Sequence, residues 1–203
     1  RAEGHARAAR ALAPDDPDAL HLHGVVVWRL GRAAEAAPLL ERAAAGAPNS
    51  AEARKNLGIV LFELNRLDQA IACFREATML QPQMAAAHYH LATALREKGE
   101  IDAAITVLQR VLALEPGNLE AANDLAAALK ERGRLPEAIL MFRAVVEAHP
   151  WQAQSWVNLA RCLMDYGDAP AARKAFDQAL VLAPGSVAAR FGDRKSTRLN
   201  SSH

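Results

Sequence analysis

Histidine is the residue type in this sequence that could most directly bind a metal ion. Two histidine pairs occur, His21/His23 and His88/His90, each with a single residue between its members. On a helix, side chains two residues apart point in diverging directions, so they do not converge on one metal ion. We therefore expect no metal site at either pair.

The two cysteines, Cys73 and Cys162, are the other candidates for chemistry. They lie far apart in the chain, and neither belongs to a CxxC motif. Cys162 follows Arg161, but its place on the packed side of a helix predicts an unreactive thiol. The sequence also has no glycine-rich phosphate loop and no Ser-His-Asp order. We expect reduced structural thiols, with a disulfide or metal site as the alternative. We expect no cofactor and no catalytic activity in this chain itself.

Prolines divide the chain into units of equal length. Six of them recur every 34 residues without a slip, at Pro14, Pro48, Pro82, Pro116, Pro150 and Pro184. A small residue and a large apolar residue recur in the same register, as Ala36 and Leu40 in one unit and Ala70 and Phe74 in the next. Columns that stay in register over five units indicate an internal repeat.

Each unit contains two segments with helical periodicity. In the unit 51–84 these are SAEARKNLGIVLFEL, which starts one residue earlier, and LDQAIACFREATML. Both have the i, i+3, i+4, i+7 spacing of amphipathic helices. Between the two segments stands a residue that tolerates the left-handed conformation at a helix end; these residues are Gly31, Asn65, Gly99, Gly133 and Gly167. The sequence therefore predicts an all-α fold built from pairs of short helices.

The pattern of a large residue, Leu-Gly, Ala, Phe, Ala and Pro over 34 residues resembles the tetratricopeptide repeat. The resemblance covers residues 2 to about 192 and implies a right-handed superhelical solenoid of antiparallel helix pairs. Pro38 departs from it, because a proline inside a second helix should bend that helix or delay its start. The resemblance divides the chain into the second helix of a truncated repeat (1–16), five full repeats (17–50, 51–84, 85–118, 119–152 and 153–186) and the start of another (187–192).

The last eleven residues, DRKSTRLNSSH at 193–203, break the repeat. They resemble, residue for residue, the translation of an adapter used in short-read DNA sequencing. We expect this tail to be artefactual and the chain to be a fragment; a basic nucleic-acid-binding arm is the alternative. Without the tail, Lys+Arg falls from 24 to 21 and Asp+Glu from 23 to 22, so a net charge of +1 becomes −1. No basic excess then indicates nucleic acid or a membrane as a partner.

The chain shows no targeting or membrane segment. No apolar run approaches the roughly 20 residues that span a bilayer, and the first residues lack the apolar core of a secretory signal. We expect a soluble, cytoplasmic protein of bacterial type, and the sequence leaves its oligomeric state open.

The resemblance also implies a binding surface. In this family the first helices of the repeats line a concave wall that binds an extended segment or a helix of a partner protein. Amides at such a wall can both donate to and accept from a peptide backbone; alternatively, they bridge adjacent helices or face water. The repeat register places the following residues at the wall: Trp28, Lys55, Asn56, Phe62, Tyr89, His90, Arg96, Asn123, Asp124, Lys130, Asn158 and Arg161.

The character of this wall changes along the chain. Its N-terminal half is apolar and aromatic, with Trp28 and Phe62, and its C-terminal half carries Arg96, Lys130 and Arg161. A partner with a hydrophobic anchor and an acidic stretch would be complementary, although nearby carboxylates partly neutralise the basic residues. We expect no clamp of the kind that holds a chaperone's C-terminus, because it needs Asn where this sequence has Ile59.

Two functions are compatible with these observations. The first is a protein-interaction scaffold that binds a protein or peptide in the concave groove. The alternative is the substrate-recruiting arm of a larger enzyme, since similar repeats precede the catalytic region of protein O-linked N-acetylglucosamine transferases and of repeat-bearing sulfotransferases. The sequence that follows position 192 in the parent gene would separate the two.

Overall fold

A computed structural model describes residues 14–186 of the 203-residue chain. Within that range the chain forms ten α-helices and no strand, which confirms the all-α prediction. Most of the truncated repeat at 1–16, the repeat start at 187–192 and the adapter-like tail at 193–203 lie outside the described residues. The helices are α1 (Pro17–Arg29), α2 (Ala33–Gly46), α3 (Ala51–Glu63), α4 (Leu67–Leu80), α5 (Ala85–Glu97), α6 (Ile101–Leu114), α7 (Leu119–Glu131), α8 (Leu135–Ala148), α9 (Ala153–Tyr166) and α10 (Ala169–Leu182).

The helices belong to two compact units, which divide the chain after residue 114. In the first unit, α1 packs on α2, α3 on α4 and α5 on α6, and each pair also contacts the next through α2 and α3 or through α4 and α5. In the second unit, α7 packs on α8, α8 on α9 and α9 on α10. The connections within the pairs are short, three residues in four pairs and two between α9 and α10, and they make the two helices of a pair antiparallel. Each unit is therefore a stack of helical hairpins, the solenoid architecture that the repeat predicts.

The predicted left-handed residues end the first helices. Asn65 has φ 58°, and the glycines at the same place in the other repeats have φ between 73° (Gly133) and 94° (Gly167). This conformation lets the backbone N–H of Arg66 reach back to the carbonyl of Leu61, with N and O 2.9 Å apart. The turn satisfies carbonyls that the helix end would otherwise leave unpaired and reverses the chain toward the second helix.

Glycine and alanine allow the two helices of each pair to approach closely. A Cβ added at Gly58 of α3 would lie 2.6 Å from Cε1 of Phe74 on α4, and one at Gly24 would lie 2.7 Å from Cγ of Leu40. Leu40 and Phe74 therefore fill the space next to the glycine of their own repeat. The alanine column of the second helices is fully buried and consists of Ala36, Ala70, Ala104, Ala138 and Ala172.

Pro38 does not delay the start of α2. The helix begins at Ala33 and continues through Pro38 to Gly46, so the expected late start is wrong. Pro38 is exposed, and water can therefore hydrogen-bond the carbonyl that loses its helical partner to the proline ring.

Among residues 14–186 no helix combines the length and the apolar character required to cross a bilayer. Each of the ten helices has 13 or 14 residues. This is shorter than the roughly 20 residues that a membrane-spanning helix needs.

Candidate functional site

The first helices of the first unit carry a group of apolar side chains on their surface. Val25 and Trp28 of α1 and Ile59 and Phe62 of α3 are partly buried and pack against the hydrophobic core. We call these four residues the apolar wall. Because each side chain has one side on the core and another open to solvent, the wall offers apolar area that a partner could cover.

A polar cluster lies on α1, α3 and α5, the three first helices of the first unit. It consists of His21 on α1, of Glu52, Lys55 and Asn56 on α3, and of His90 on α5. The Nδ2 of Asn56 lies 2.9 Å from Nε2 of His21 and donates a longer bond, 3.3 Å, to Oε1 of Glu52. The same carboxylate oxygen accepts from Nζ of Lys55 at 2.6 Å. This hydrogen bonding joins α1 to α3, the two helices that carry the apolar wall.

Burial lowers the pKa of both histidines of the cluster and so favours their neutral forms. Desolvation is the main cause that lowers the pKa of His21, with Glu52 and Asp18 opposing it, and the charge of Lys55 lowers it further. Desolvation also lowers the pKa of His90, and Lys55 acts in the same direction. A neutral His21 accepts the Asn56 N–H at Nε2 and therefore carries its own proton on Nδ1.

Aromatic contacts connect His90 to the core. Its ring stacks on Phe74 with centroids 5.6 Å apart and an interplanar angle of 20°, and it meets the edge of Tyr89 at 6.0 Å. Phe74 is 1% exposed and belongs to the core of its own repeat. His90 is therefore held by the packing of the preceding repeat.

Both N–H groups of Asn56 are engaged inside the protein, and the residue is only 8% exposed. Sequence analysis gave it two possible roles, peptide contact or a bridge between adjacent helices, and this geometry favours the bridge. Lys55 is likewise held by Glu52. Glu52 and His21 are members of the cluster that sequence analysis missed as site residues. The repeat register could have found His21, since it occupies the same column as Lys55, Tyr89 and Asn123.

The second unit has a different arrangement on its first helices. An open pocket of about 360 Å³ is lined by Ala127, Lys130, Glu131, Phe142, Asn158 and Arg161. Lys130 on α7 binds Asp165 on α9, with Nζ and Oδ2 2.7 Å apart. Asn158 accepts a hydrogen bond at Oδ1 from Nε2 of Gln154, at 3.0 Å. Three of the predicted wall residues thus share one pocket, together with Phe142, which sequence analysis did not select.

Three further predicted residues, Asn123, Asp124 and Arg96, lie on α5 and α7. Asn123 donates from Nδ2 to the carbonyl of Leu119 on its own helix at 3.0 Å, and its Oδ1 is buried without a partner among the described residues. Asp124 lies beside it on α7, partly buried, and Arg96 is partly buried in the last turn of α5. The predicted wall residues thus include one local group on the first helices of each unit.

Comparison with known families identifies the repeat. Tetratricopeptide repeat models match residues 55–118 and 123–187 in one case, 15–83 in a second and 95–150 in a third. The chain belongs to the tetratricopeptide repeat family. Comparison with curated protein sequences gives no significant match.

Solved structures share the fold of this tetratricopeptide repeat chain. The crystal structure of YrrB, described as a TPR protein with an unusual peptide-binding site, matches with a TM-score of 0.80 and 21% identity, over 93% of this chain and 97% of YrrB. MamA from Desulfovibrio magneticus RS-1 matches at 0.79 and 22%, over 85% and 98%. PilF from Pseudomonas aeruginosa matches at 0.76 and 20%, over 94% and 86%. These identities establish the tetratricopeptide fold alone.

Proposed function

We propose that this tetratricopeptide repeat chain is a protein-interaction scaffold, and that the apolar wall of its first unit binds a segment of a partner protein. The observation that carries the proposal is the partial burial of the Trp28 and Phe62 side chains. Both are anchored in the core on one side and remain partly exposed on the other. Large aromatic side chains in this condition supply most of the binding energy at many protein interfaces.

The polar cluster supports this function by fixing the wall in place. The hydrogen bond between His21 and Asn56 ties α1, which carries Trp28, to α3, which carries Phe62. A wall that is rigid before binding loses little conformational entropy when a partner docks. Asn56 therefore contributes chiefly by positioning the two helices.

Family membership supports the same function, since proteins of this family generally act as scaffolds. One structural neighbour, YrrB, is itself described as having a peptide-binding site. The partner of the present chain would be a protein segment with an aromatic or aliphatic anchor, which matches the apolar wall in chemistry. The enzyme-arm alternative concerns sequence outside this chain and stays a prediction, as does the cytoplasmic location.

Selection from a random-peptide phage library on the 203-residue chain tests the proposal. We expect the selected peptides to carry an aromatic or aliphatic anchor. Replacing Trp28 or Phe62 by Ala should weaken their binding at least tenfold, since a buried interface anchor is worth about 2 kcal/mol or more. The matched control is Trp151→Ala, because Trp151 is 69% exposed and lies in the second unit. Equal loss of affinity in the control, or none in the two wall variants, would place the binding surface elsewhere.

A further inference from the structure

We propose that the pocket of the second unit binds a glutamate side chain of a partner peptide. The pocket is the one lined by Ala127, Lys130, Glu131, Phe142, Asn158 and Arg161; we call it the carboxylate pocket. The inference deepens the proposed function, because it assumes that a first-helix face of this chain receives a partner segment. It concerns other residues in the other unit, so the two can be tested separately.

The hydrogen-bonding groups left over in the pocket are mainly donors. Arg161 is exposed and forms no ion pair or hydrogen bond within the described part of the chain. Asn158 uses its oxygen to accept from Gln154, so its Nδ2 amide remains available to donate. The carboxylate of Asp165 is already held by Lys130. The two oxygens of an incoming carboxylate could accept hydrogen bonds from the planar guanidinium of Arg161 and from the side-chain amide of Asn158.

The Lys130–Asp165 contact shows that the ammonium of Lys130, a member of the pocket lining, pairs with a carboxylate. The oxygen of Asp165 lies 2.7 Å from Nζ, and the two side chains come from neighbouring first helices. An ammonium has three donors, so Lys130 can bind Asp165 and a second carboxylate together. Glu131 is the acidic member of the pocket lining; it is exposed at the end of α7 and opposes anion binding weakly because water screens it.

Apolar residues complete the pocket and favour a carboxylate on a short hydrocarbon stem. Ala127 and the buried ring of Phe142 line the pocket together with the donors. The two methylene groups of a glutamate could contact these residues while its carboxylate meets Arg161. A volume of about 360 Å³ holds more than a bare carboxylate, which is why we assign the pocket to a side chain.

NMR titration of the ¹⁵N-labelled full-length chain with N-acetylglutamate N-methylamide at low ionic strength tests this assignment. We expect saturable shifts of the Arg161 Nε–H and of the Asn158 side-chain amide. Arg161→Gln should lower the affinity about fivefold, near the upper range for an exposed ion pair. Arg173→Gln, which changes an exposed arginine of α10, is the charge-matched control and should change nothing. Equal affinity in wild type and Arg161→Gln would refute the proposal.

Three further measurements test the role of Lys130 and distinguish a glutamate side chain from other ligands. Asp165→Asn removes a negative charge that partly neutralises Lys130, so the affinity for the probe should rise; a fall would overturn the role given to Lys130. The glutamine analogue of the probe should produce no shifts, and binding of equal strength would contradict carboxylate recognition. Should N-acetylglycine bind as tightly as the glutamate probe, the occupant would be a peptide C-terminus and the side-chain assignment would be wrong.

Discussion

Phe74 joins the core of the second repeat to the candidate site, and its replacement tests that connection. Its ring is 1% exposed, covers the glycine at position 58 and stacks on His90. Removing a buried phenylalanine loses about 1.5–3 kcal/mol of transfer free energy. The cavity that remains brings the usual cost of Phe→Ala to about 3–5 kcal/mol. We expect Phe74→Ala to fall in the upper part of this range, because the aromatic stack is lost as well.

The other repeats supply a conservative variant. Leu40 covers Gly24 in the first repeat in the way that Phe74 covers Gly58. Phe74→Leu should therefore cost clearly less, about 1.5 kcal/mol or below. The surface control is Leu140→Ala, since Leu140 is 67% exposed and its removal should change the free energy of unfolding by about 0.5 kcal/mol at most.

Urea titrations followed by circular dichroism measure these costs, and an NMR titration of His90 measures the effect on the site. Desolvation lowers the pKa of His90 in the folded protein. Loss of the Phe74 ring admits water to one face of the imidazole, so the pKa of His90 should rise toward its ordinary value. A stability loss under about 1 kcal/mol in Phe74→Ala, or an unchanged His90 titration, would refute this account of the packing.

Three further outcomes are expected. Burial lowers the pKa of His21 and His90 in the folded protein, so these histidines take up protons at a higher pH in the unfolded chain. The free energy of unfolding should therefore be highest above about pH 6.5 and should fall as the pH decreases below that value. Urea titrations at several pH values check this, and replacing both histidines by Gln should flatten the slope. Ala104→Leu should overfill a fully buried site and cost about 1–3 kcal/mol, whereas Ala113→Leu at an exposed position of the same helix should not; equal melting temperatures would contradict the repeat register. Gly99→Ala, at φ 86°, should lower the melting temperature because alanine is strained at positive φ, costing about 1 kcal/mol.

Much of the fold could be predicted because its signals are local. The left-handed residues, such as Asn65 with φ 58°, end helices through their own backbone preference. The small residue at Gly58 and the large one at Phe74 recur as columns in every repeat, but their contact within one repeat is known only from the structure. The late start suggested for α2 was wrong because Pro38 points to water, which the periodicity alone did not indicate.

The candidate site was harder to predict because its contacts join different repeats. Sequence analysis placed Asn56 at a binding wall, but its two N–H bonds go to a histidine of the preceding repeat and a glutamate of its own helix. Rotamers and tautomers decide such partners, and periodicity carries no information about them. His21 was considered only as a member of a metal-binding pair with His23, whereas its observed partner, Asn56, lies in the next repeat, 35 residues away.

The contacts between neighbouring first helices nevertheless share one spacing. Asn56 and His21 are 35 residues apart, which is the repeat length plus one. Lys130 and Asp165, in the other unit, have the same separation. A residue on one first helix therefore meets the residue one place further along on the next, as expected when helices of equal length stack with a small offset. In the first unit this relation pairs an amide with an imidazole on the helices that carry the apolar wall. In the second unit it pairs a lysine of the pocket lining with an aspartate. Substitutions at such positions change what a tetratricopeptide array can bind while the glycine, alanine and phenylalanine columns keep its fold.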